Sequence, residues 1–380
     1  MKTLSFFDKE EWQELKKIEK LELKEKEIVF YVENIASMNH FRLLIKELIE
    51  NYDYRICIVS SIKKIHFNET EKIKIFFIGN GSARTKFFLT LKAKILIMDM
   101  PDLENFHIKK SKIYPVHYIY IFHSMFSTHS YLREKALFHY NTIFCVGEHH
   151  IKEIRNTEKI YNLKPKELLN YGFSRLDELI DNNNEKSIMA NKHSVILIAP
   201  SYGKNNIIEK CGLELIEFLI NNNYQVVLRP HHKSFEESKK KISQIEKKFS
   251  NDKNFRIEKG VISNELLQSS LCLISDWSGI SFEYAFIQKK PTIFINLPKK
   301  ENNSNVKKIG IEPIEIKLRE EIGYIIQPFE FKKIIESIND HNINKKKEFI
   351  EHHKSKLIFN IGNSAKIGGK YIDELLKKLI

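Results

Sequence analysis

Cysteine is scarce in this chain: Cys57, Cys145, Cys211 and Cys272 are the only four in 380 residues, and no two share a C-x-x-C spacing. A disulfide framework or a thiolate metal site needs paired cysteines, so the four are expected to be reduced, mostly buried thiols of a cytosolic protein. Long apolar runs are missing as well. The longest, such as Tyr118–Phe122 and Leu271–Ile274, fall far below the roughly 20 residues a membrane-spanning helix needs. The N-terminal stretch MKTLSFFDKEEW is slightly acidic and amphipathic, without the apolar core of a signal peptide. There is no GxxxxGK[ST] loop, which excludes a P-loop ATPase, and no GxSxG elbow to support a hydrolase of that type. No sequence repeat with a period of about 20–50 residues occurs either.

Acidic residues are in deficit, with Asp+Glu 49 against Lys+Arg 62 and a formal net charge of +13. Nucleic acid, an anionic membrane face and a phosphorylated substrate would all suit that balance. Much of the excess sits in lysine runs, Lys239–Lys241, Lys345–Lys347 and Lys377–Lys378, which read as solvated helix faces. The basic residues lack aromatic interleaving, and no helix-turn-helix or finger spacing is present, so nucleic acid is not expected as a partner. Hydrophobic residues at 42% and aromatics at 11% argue for a folded chain rather than a disordered one.

Short apolar strands alternate with helical stretches along the chain, the pattern of parallel α/β sheets. A charged amphipathic helix is expected over residues 8–26. Strands follow at Glu27–Val32, Arg55–Ser60, Ile73–Ile78, Ala93–Met98, Val116–Phe122 and Thr142–Val146. Helices are expected near Met38–Glu50, Ala83–Leu91, Tyr131–Phe138 and Glu148–Thr157. The stretch Asp181–His193, DNNNEKSIMANKH, has no apolar period and reads as a linker. Beyond it the alternation restarts at Ser194–Ala199 and runs through Gln225–Leu228, Asn254–Ile257, Leu271–Ser275 and Thr292–Asn296. Its helices are expected near Asn206–Ile220, Phe235–Phe249, Asn264–Ser269 and Ile280–Ile287, then near Phe329–Ile338, Lys345–Lys354 and Ser364–Leu379. The expected organisation is an N-terminal Rossmann-like domain over residues 1–180, the linker over 181–193, a second Rossmann-like domain over 194–362, and a C-terminal helix over 363–380. Two such domains enclose a cleft that faces the carboxyl ends of both sheets, where ligands of this fold class bind.

Three segments carry candidate chemistry. The first, SDWSGISFE at Ser275–Glu283, follows the strand LCLI and precedes a helix. Ser275, Asp276, Ser278 and Gly279 suit a tight strand-to-helix turn, and the free amides of the helix start form a ready phosphate site. Glu283, one turn in, is placed to take ribose hydroxyls. Without a ligand the same segment is an ordinary capped helix. The second, LRPHHKS at Leu228–Ser234, crowds Arg229, His231, His232 and Lys233 at a strand's end, where cations would stabilise the leaving charge of a pyrophosphate. The plainer reading is a basic surface turn. The third is His123, which ends the apolar strand of YIYIFHSMFSTH at Tyr118–His129. Its ordinary pKa near about 6.5 suits a general base, although a histidine in that place can also be purely structural. His129 and His139 read as helix-face residues. Gly79-Asn80-Gly81 reads as a turn, since it lacks the third glycine and the downstream acid of a dinucleotide loop. His149, His150 and Glu153 share a helix without HExxH spacing, so no metal is expected.

Taken together and in order, these segments resemble the CDP-glycerol glycerophosphotransferases that build teichoic-acid-like polymers. FHSMFSTH at Phe122–His129 is similar to the family's WHG-T-x-x-K segment, with Ser124 in place of the glycine and no obvious lysine. YGFSRLDEL at Tyr171–Leu179 resembles GYPRxD, and ILIAPSYG at Ile196–Gly203 resembles ILYAPTWR. LRPHHKS matches a strand ending in a histidine. Asn264–Asn296 matches a long stretch around SDxLITDYSSxxFD, with Gly279 and Glu283 where Ser and Asp are usual. The match runs from Phe122 to Asn296.

The resemblance implies a GT-B-like pair of Rossmann-type domains and transfer of glycerol phosphate from CDP-glycerol, or a related CDP-alditol, to a hydroxyl of a surface-glycan or lipid-linked acceptor. CMP is the product released. His123 and His231 would be the catalytic pair. Arg229, Ser275, Asp276, Ser278, Gly279 and Glu283 would bind the donor, Ser124 and Thr128 would lie on the acceptor side, and neither metal nor cofactor is called for. Localisation would be cytoplasmic, with peripheral contact at the inner membrane face. The alternatives are a glycosyltransferase of the same fold using a nucleotide sugar, which the Gly279 and Glu283 departures bring to mind, and a basic nucleic-acid or membrane-surface binder.

Overall fold

The structure, a computed structural model, describes residues 8–185, 195–260, 264–299, 306–340 and 343–379. Seven strands form the first sheet: β1 (Ile28–Val32), β2 (Ile56–Ser60), β3 (Ile73–Phe77), β4 (Ile95–Met98), β5 (His117–Ile121), β6 (Thr142–Cys145) and β7 (Glu167–Asn170). Their order is β3-β2-β1-β4-β5-β6-β7, and every pairing is parallel. The central runs IVFYV and ICIVS are buried at every position, as strands covered by helices on both faces must be.

A second sheet holds β8 (Val195–Ile198), β9 (Gln225–Leu228), β10 (Phe255–Ile257), β11 (Cys272–Ser275), β12 (Thr292–Ile295) and β13 (Gly323–Ile326). Its order, β10-β9-β8-β11-β12-β13, again with parallel pairing throughout, repeats that of the first sheet without the last strand. Each sheet therefore reverses its direction of winding once, between β1 and β4 in the first and between β8 and β11 in the second. A crevice opens at the carboxyl ends of the strands at such a switch point. The architecture is the expected pair of Rossmann-like α/β units. One hydrophobic cluster runs through both, joining Leu96, Tyr120 and Phe126 to Leu197, Leu273 and Phe282, with the Phe126 and Phe282 rings edge-on at 5.0 Å.

The last helix, Ser364–Lys378, returns to the first sheet. Its Ile372, Leu375 and Leu376 join Phe41, Leu44 and Leu48 of helix Met38–Glu50 in one cluster. Asp177 holds its start by accepting from the amides of Gly362 and Ser364, at 2.7 and 3.1 Å, and from the Ser364 hydroxyl. That is the capping chemistry of a helix N-terminus. The lysines of the three runs are exposed or half-buried on helix faces, as expected.

Several elements differ from their sequence reading. The helix expected at Tyr131–Phe138 is replaced by one turn, Thr128–Tyr131, followed by successive tight turns. Leu132 is extended there, and the Ala136 carbonyl is drawn to the Asp102 amide instead. The helix expected over Asn206–Ile220 breaks at Cys211, and that over Phe235–Phe249 at Ser238. Residues 181–185 of the expected linker form the end of helix Ser174–Glu185, and the remainder lies outside the described residues. Gly79-Asn80-Gly81 is a turn, as read, with Gly79 at φ +59°. The Glu11 carboxylate packs so closely on Gly79 that a Cβ would overlap it.

Candidate active site

His123 follows β5 and is half-buried at the carboxyl edge of the first sheet. Its Nδ1 lies 3.1 Å from the Asp99 carbonyl oxygen and 3.2 Å from the Tyr120 hydroxyl. A carbonyl can only accept, so Nδ1 carries the proton and the neutral ring keeps its lone pair on Nε2. Burial pushes the His123 pKa down to about 4, opposed by the bond to Asp99, with Lys233 of the second sheet adding a smaller depression. At neutral pH the ring is an uncharged proton acceptor.

The loop that follows His123 is held by helix Glu148–Ile160. His149 Nε2 donates to the Met125 carbonyl at 3.0 Å, and His150 Nε2 to that of Phe126 at 2.9 Å. The His150 tautomer is fixed because its Nδ1 accepts from the Val146 amide. Glu153 accepts from the Thr128 amide at 2.6 Å and from the Thr128 hydroxyl at 2.8 Å. These three side chains share a helix because they clamp a loop. His129, read as a helix-face residue, lies in the one-turn helix Thr128–Tyr131 and is buried beside Glu153, at 3.6 Å, and its Nε2 donates to the Ile311 carbonyl. Burial works against the imidazolium there, but the Glu153 carboxylate outweighs it and raises the pKa.

On the second sheet, the loop after β9 carries Arg229 and His231. The Lys233 amide donates to His231 Nδ1 at 3.2 Å, so the neutral ring carries its proton on Nε2, the opposite tautomer to His123. Tyr202 stacks on the His231 ring with centroids 4.6 Å apart, and the Lys233 ammonium lies 4.7 Å over Tyr202. Arg229 Nε donates to the Gly260 carbonyl at 3.1 Å.

The turn after β11 is built from the inside. The Ser275 hydroxyl donates to the Ala199 carbonyl at 2.7 Å. Asp276 accepts from the amides of Ser201, Trp277 and Ile207 at 2.7, 2.6 and 3.0 Å. Asp276 therefore ties the loop after β8 to the loop after β11, across the switch point. Burial raises its pKa and those amides oppose the rise. Ser278 and Gly279, both half-buried, open helix Ile280–Gln288, whose first amides have no partner within the helix. Trp277 donates through its indole to the Leu297 carbonyl at 2.7 Å, and the Arg319 guanidinium covers its ring at 3.8 Å.

The two halves of the site meet. A Cβ on Gly279 would stand 3.2 Å from Ser124 Oγ, so the residue after His123 touches the helix start of the second sheet. Arg175 of the GFSRLDEL segment bonds Glu283 across the same boundary at 3.2 Å. Behind it, Glu315 accepts from the Ser127 amide at 3.2 Å, the Ser130 hydroxyl and Lys299 at 2.9 Å.

Of the residues singled out in the sequence, His123, Ser124, Arg229, His231, Ser278 and Gly279 come to the cleft with partly exposed surface. Ser275, Asp276 and Thr128 are buried and engaged in shaping its walls, and Glu283 is bonded to Arg175. The sequence reading passed over His40, Asp99, Arg175, Glu315 and Arg319. Only Arg175 carried a signal, its place in GFSRLDEL. No cluster of His, Cys, Asp and Glu able to hold a metal ion occurs among the described residues. No helix among them is long and apolar enough to cross a membrane.

With this geometry in place, comparison with known proteins is informative. The family described as CDP-Glycerol:Poly(glycerophosphate) glycerophosphotransferase matches residues 15–313, a wider span than the Phe122–Asn296 stretch that carries the motifs. A structure of the wall teichoic acid polymerase TagF aligns over 94% of this chain and 90% of its own, at 16% identity and a TM-score of 0.60. The Methanocaldococcus jannaschii UDP-GlcNAc 2-epimerase with UDP-GlcNAc and UDP aligns over 92% and 99%, at 13% identity and 0.56. S. aureus MnaA with UDP aligns over 93% and 98%, at 14% and 0.59. At these identities the structures speak to the fold alone. No curated protein sequence matches significantly.

Proposed function

The chain belongs to the CDP-glycerol:poly(glycerophosphate) glycerophosphotransferase family, and on that premise we propose how its two sheets divide the family's reaction. The enzyme transfers glycerophosphate from a CDP-linked donor to a surface-glycan or lipid-linked acceptor and draws on no metal cofactor. The unit before the linker presents the acceptor, and the unit after it binds the donor.

His123 Nε2 takes the proton from the acceptor hydroxyl. The freed oxygen attacks the β-phosphorus of CDP-glycerol in line with the bridging oxygen. A phosphodiester forms, the bond between the β-phosphorus and the bridging oxygen breaks, and CMP departs. The His231 Nε2 proton points the same chemistry the other way, donating to the leaving phosphate, while Arg229 and the amides at Ser278–Gly279 balance its charge. The observation that carries this reading is the opposed pair of tautomers: one histidine presents a lone pair, the other a proton. The loop of His123 meets the second sheet where Ser124 touches Gly279, at the helix start after β11. Lipid-linked acceptors and a net charge of +13 favour peripheral attachment to an anionic inner membrane face.

The test is CMP release from CDP-glycerol by wild type, His123→Ala and His231→Ala, with UDP-glucose as the control donor. Removal of a general acid or base is expected to slow release by about 10²–10⁴-fold in each variant, with no UDP released from UDP-glucose. Undiminished CMP release by folded His123→Ala would overturn the assignment of the base.

A further inference from the structure

The donor machinery described above occupies the switch point of the second sheet. The corresponding crevice of the first sheet, between β1 and β4, has no role in that scheme, yet it collects polar groups that the protein leaves without partners. His40 stands in the first turn of helix Met38–Glu50, which follows β1. It is 5% exposed, and its Nδ1 is buried with no hydrogen-bond partner. Ser37, at the N-cap of the same helix, makes no capping bond, and its buried hydroxyl is also unpartnered. Asp99 directly follows β4 and is 6% exposed. The Ser37 hydroxyl lies beside its carboxyl. Buried polar groups are almost always paired, and an unpaired one costs stability, so the His40 nitrogen and the Ser37 hydroxyl, set beside a buried carboxyl, call for an explanation.

The cluster adjoins the proposed base. The Asp99 carbonyl is the group that binds His123 Nδ1, and the His40 and His123 rings are 6.5 Å apart, edge to face. Burial, together with the neighbouring His123 and Arg175, holds His40 well below its ordinary pKa, so the ring is neutral and offers one donor and one acceptor. A carboxyl and a serine hydroxyl add further acceptor and donor capacity. The cation beside His40, Arg175, is already paired with Glu283 at 3.2 Å, so a phosphate is drawn to Arg229 and the helix start across the cleft instead. Neutral ligands with adjacent hydroxyls, each able to donate and accept, are the chemistry this set fits.

We propose that His40, Ser37 and Asp99 form a polyol subsite that holds the hydroxyl-bearing end of the acceptor beside His123. The inference rests on the catalytic reading above and deepens it: the subsite selects and orients the attacking hydroxyl, while His123 takes its proton.

Direct binding tests the subsite apart from turnover. With histidine ring nitrogens labelled, glycerol and glycerol 3-phosphate are titrated into the full chain, and the His40 resonance is identified by its loss in His40→Gln. A saturable shift of that resonance, weakened about tenfold or more in Asp99→Asn, is expected. No shift with either polyol would overturn the proposal. With CDP-glycerol as donor, the same two variants are expected to raise the KM for the polyol about tenfold while the Kd for CDP-glycerol, measured by calorimetry, holds. An equal loss of CDP-glycerol affinity would assign the crevice to the donor's own glycerol and overturn the acceptor reading. Absence of CMP release in wild type would count against the catalytic scheme, and the titration would still decide the subsite.

Discussion

Two histidines of identical chemistry are held in opposite tautomers by one backbone group each, as the proposed division of tasks requires. At His123 a carbonyl oxygen claims Nδ1, and at His231 an amide claims it. This has a consequence for pH. Only neutral His123 can accept the acceptor's proton, and burial holds its pKa at about 4, below the ordinary value near about 6.5. As the pH falls, the free enzyme keeps its base unprotonated through the range where an exposed histidine would already be charged. The acid limb of kcat/KM is therefore expected between about pH 4 and 5 rather than near about 6.5. A limb centred at about 6.5 or above that persists in the residual activity of His123→Gln would show that His123 is not the base. The sequence displays the residue type and its place at a strand's end. The tautomer was illegible because it is set by Asp99, which reaches His123 only once β4 and β5 pair.

At the scale of elements, two of the departures from the family pattern, Ser124 and Gly279, turn out to be one contact. The motif has glycine after its histidine and serine at the helix start; here Ser124 and Gly279 exchange those sizes across the cleft. The missing side chain at Gly279 is what lets Ser124 Oγ sit where a Cβ would be 3.2 Å away. Gly279→Ser alone is expected to crowd this contact and, between two half-buried residues, to cost about 1 kcal/mol, the low end for overpacking, read as a lower urea midpoint and slower CMP release. Adding Ser124→Gly should recover most of both losses, a coupling a double-mutant cycle measures directly. Additive losses would mean that the two positions do not compensate. The strands and the phosphate-type turn were legible because each is a local pattern. The loop Phe122–Tyr131 was not, nor were the turns after it, where a helix over Tyr131–Phe138 was expected. The loop's backbone is held by His149, His150, Glu153 and Glu315, partners that no local periodicity encodes. The same histidines, read for metal spacing, gave only an absence.

Across the whole molecule, the alternation of strands and helices made two Rossmann-like units legible, but β7 and β13 were missed. Both end their sheets, and a strand with a neighbour on one side only can do with less apolar sequence: ELLN is half-buried or exposed along its length. The contacts that set the two units face to face were equally hidden, since Glu315 and Ser127 lie 188 residues apart in the chain. Glu315 is fully buried, and its carboxylate gathers an amide and a hydroxyl from the loop after His123 together with Lys299 from its own side. Glu315→Ala would strand those donors in the interior, and breaking a buried charged contact of this kind costs about 3–5 kcal/mol. Lys299 retains some exposure, which places the expectation at the low end. Because the strained partner is the loop that carries His123, the loss should reach catalysis through kcat. CDP-glycerol binding, built on the turn after β11 and the end of β9, should persist. Chemical denaturation together with CMP-release kinetics and donor calorimetry separates these effects. A destabilised variant that keeps its full kcat would show that Glu315 joins the two units without aligning the base against the donor.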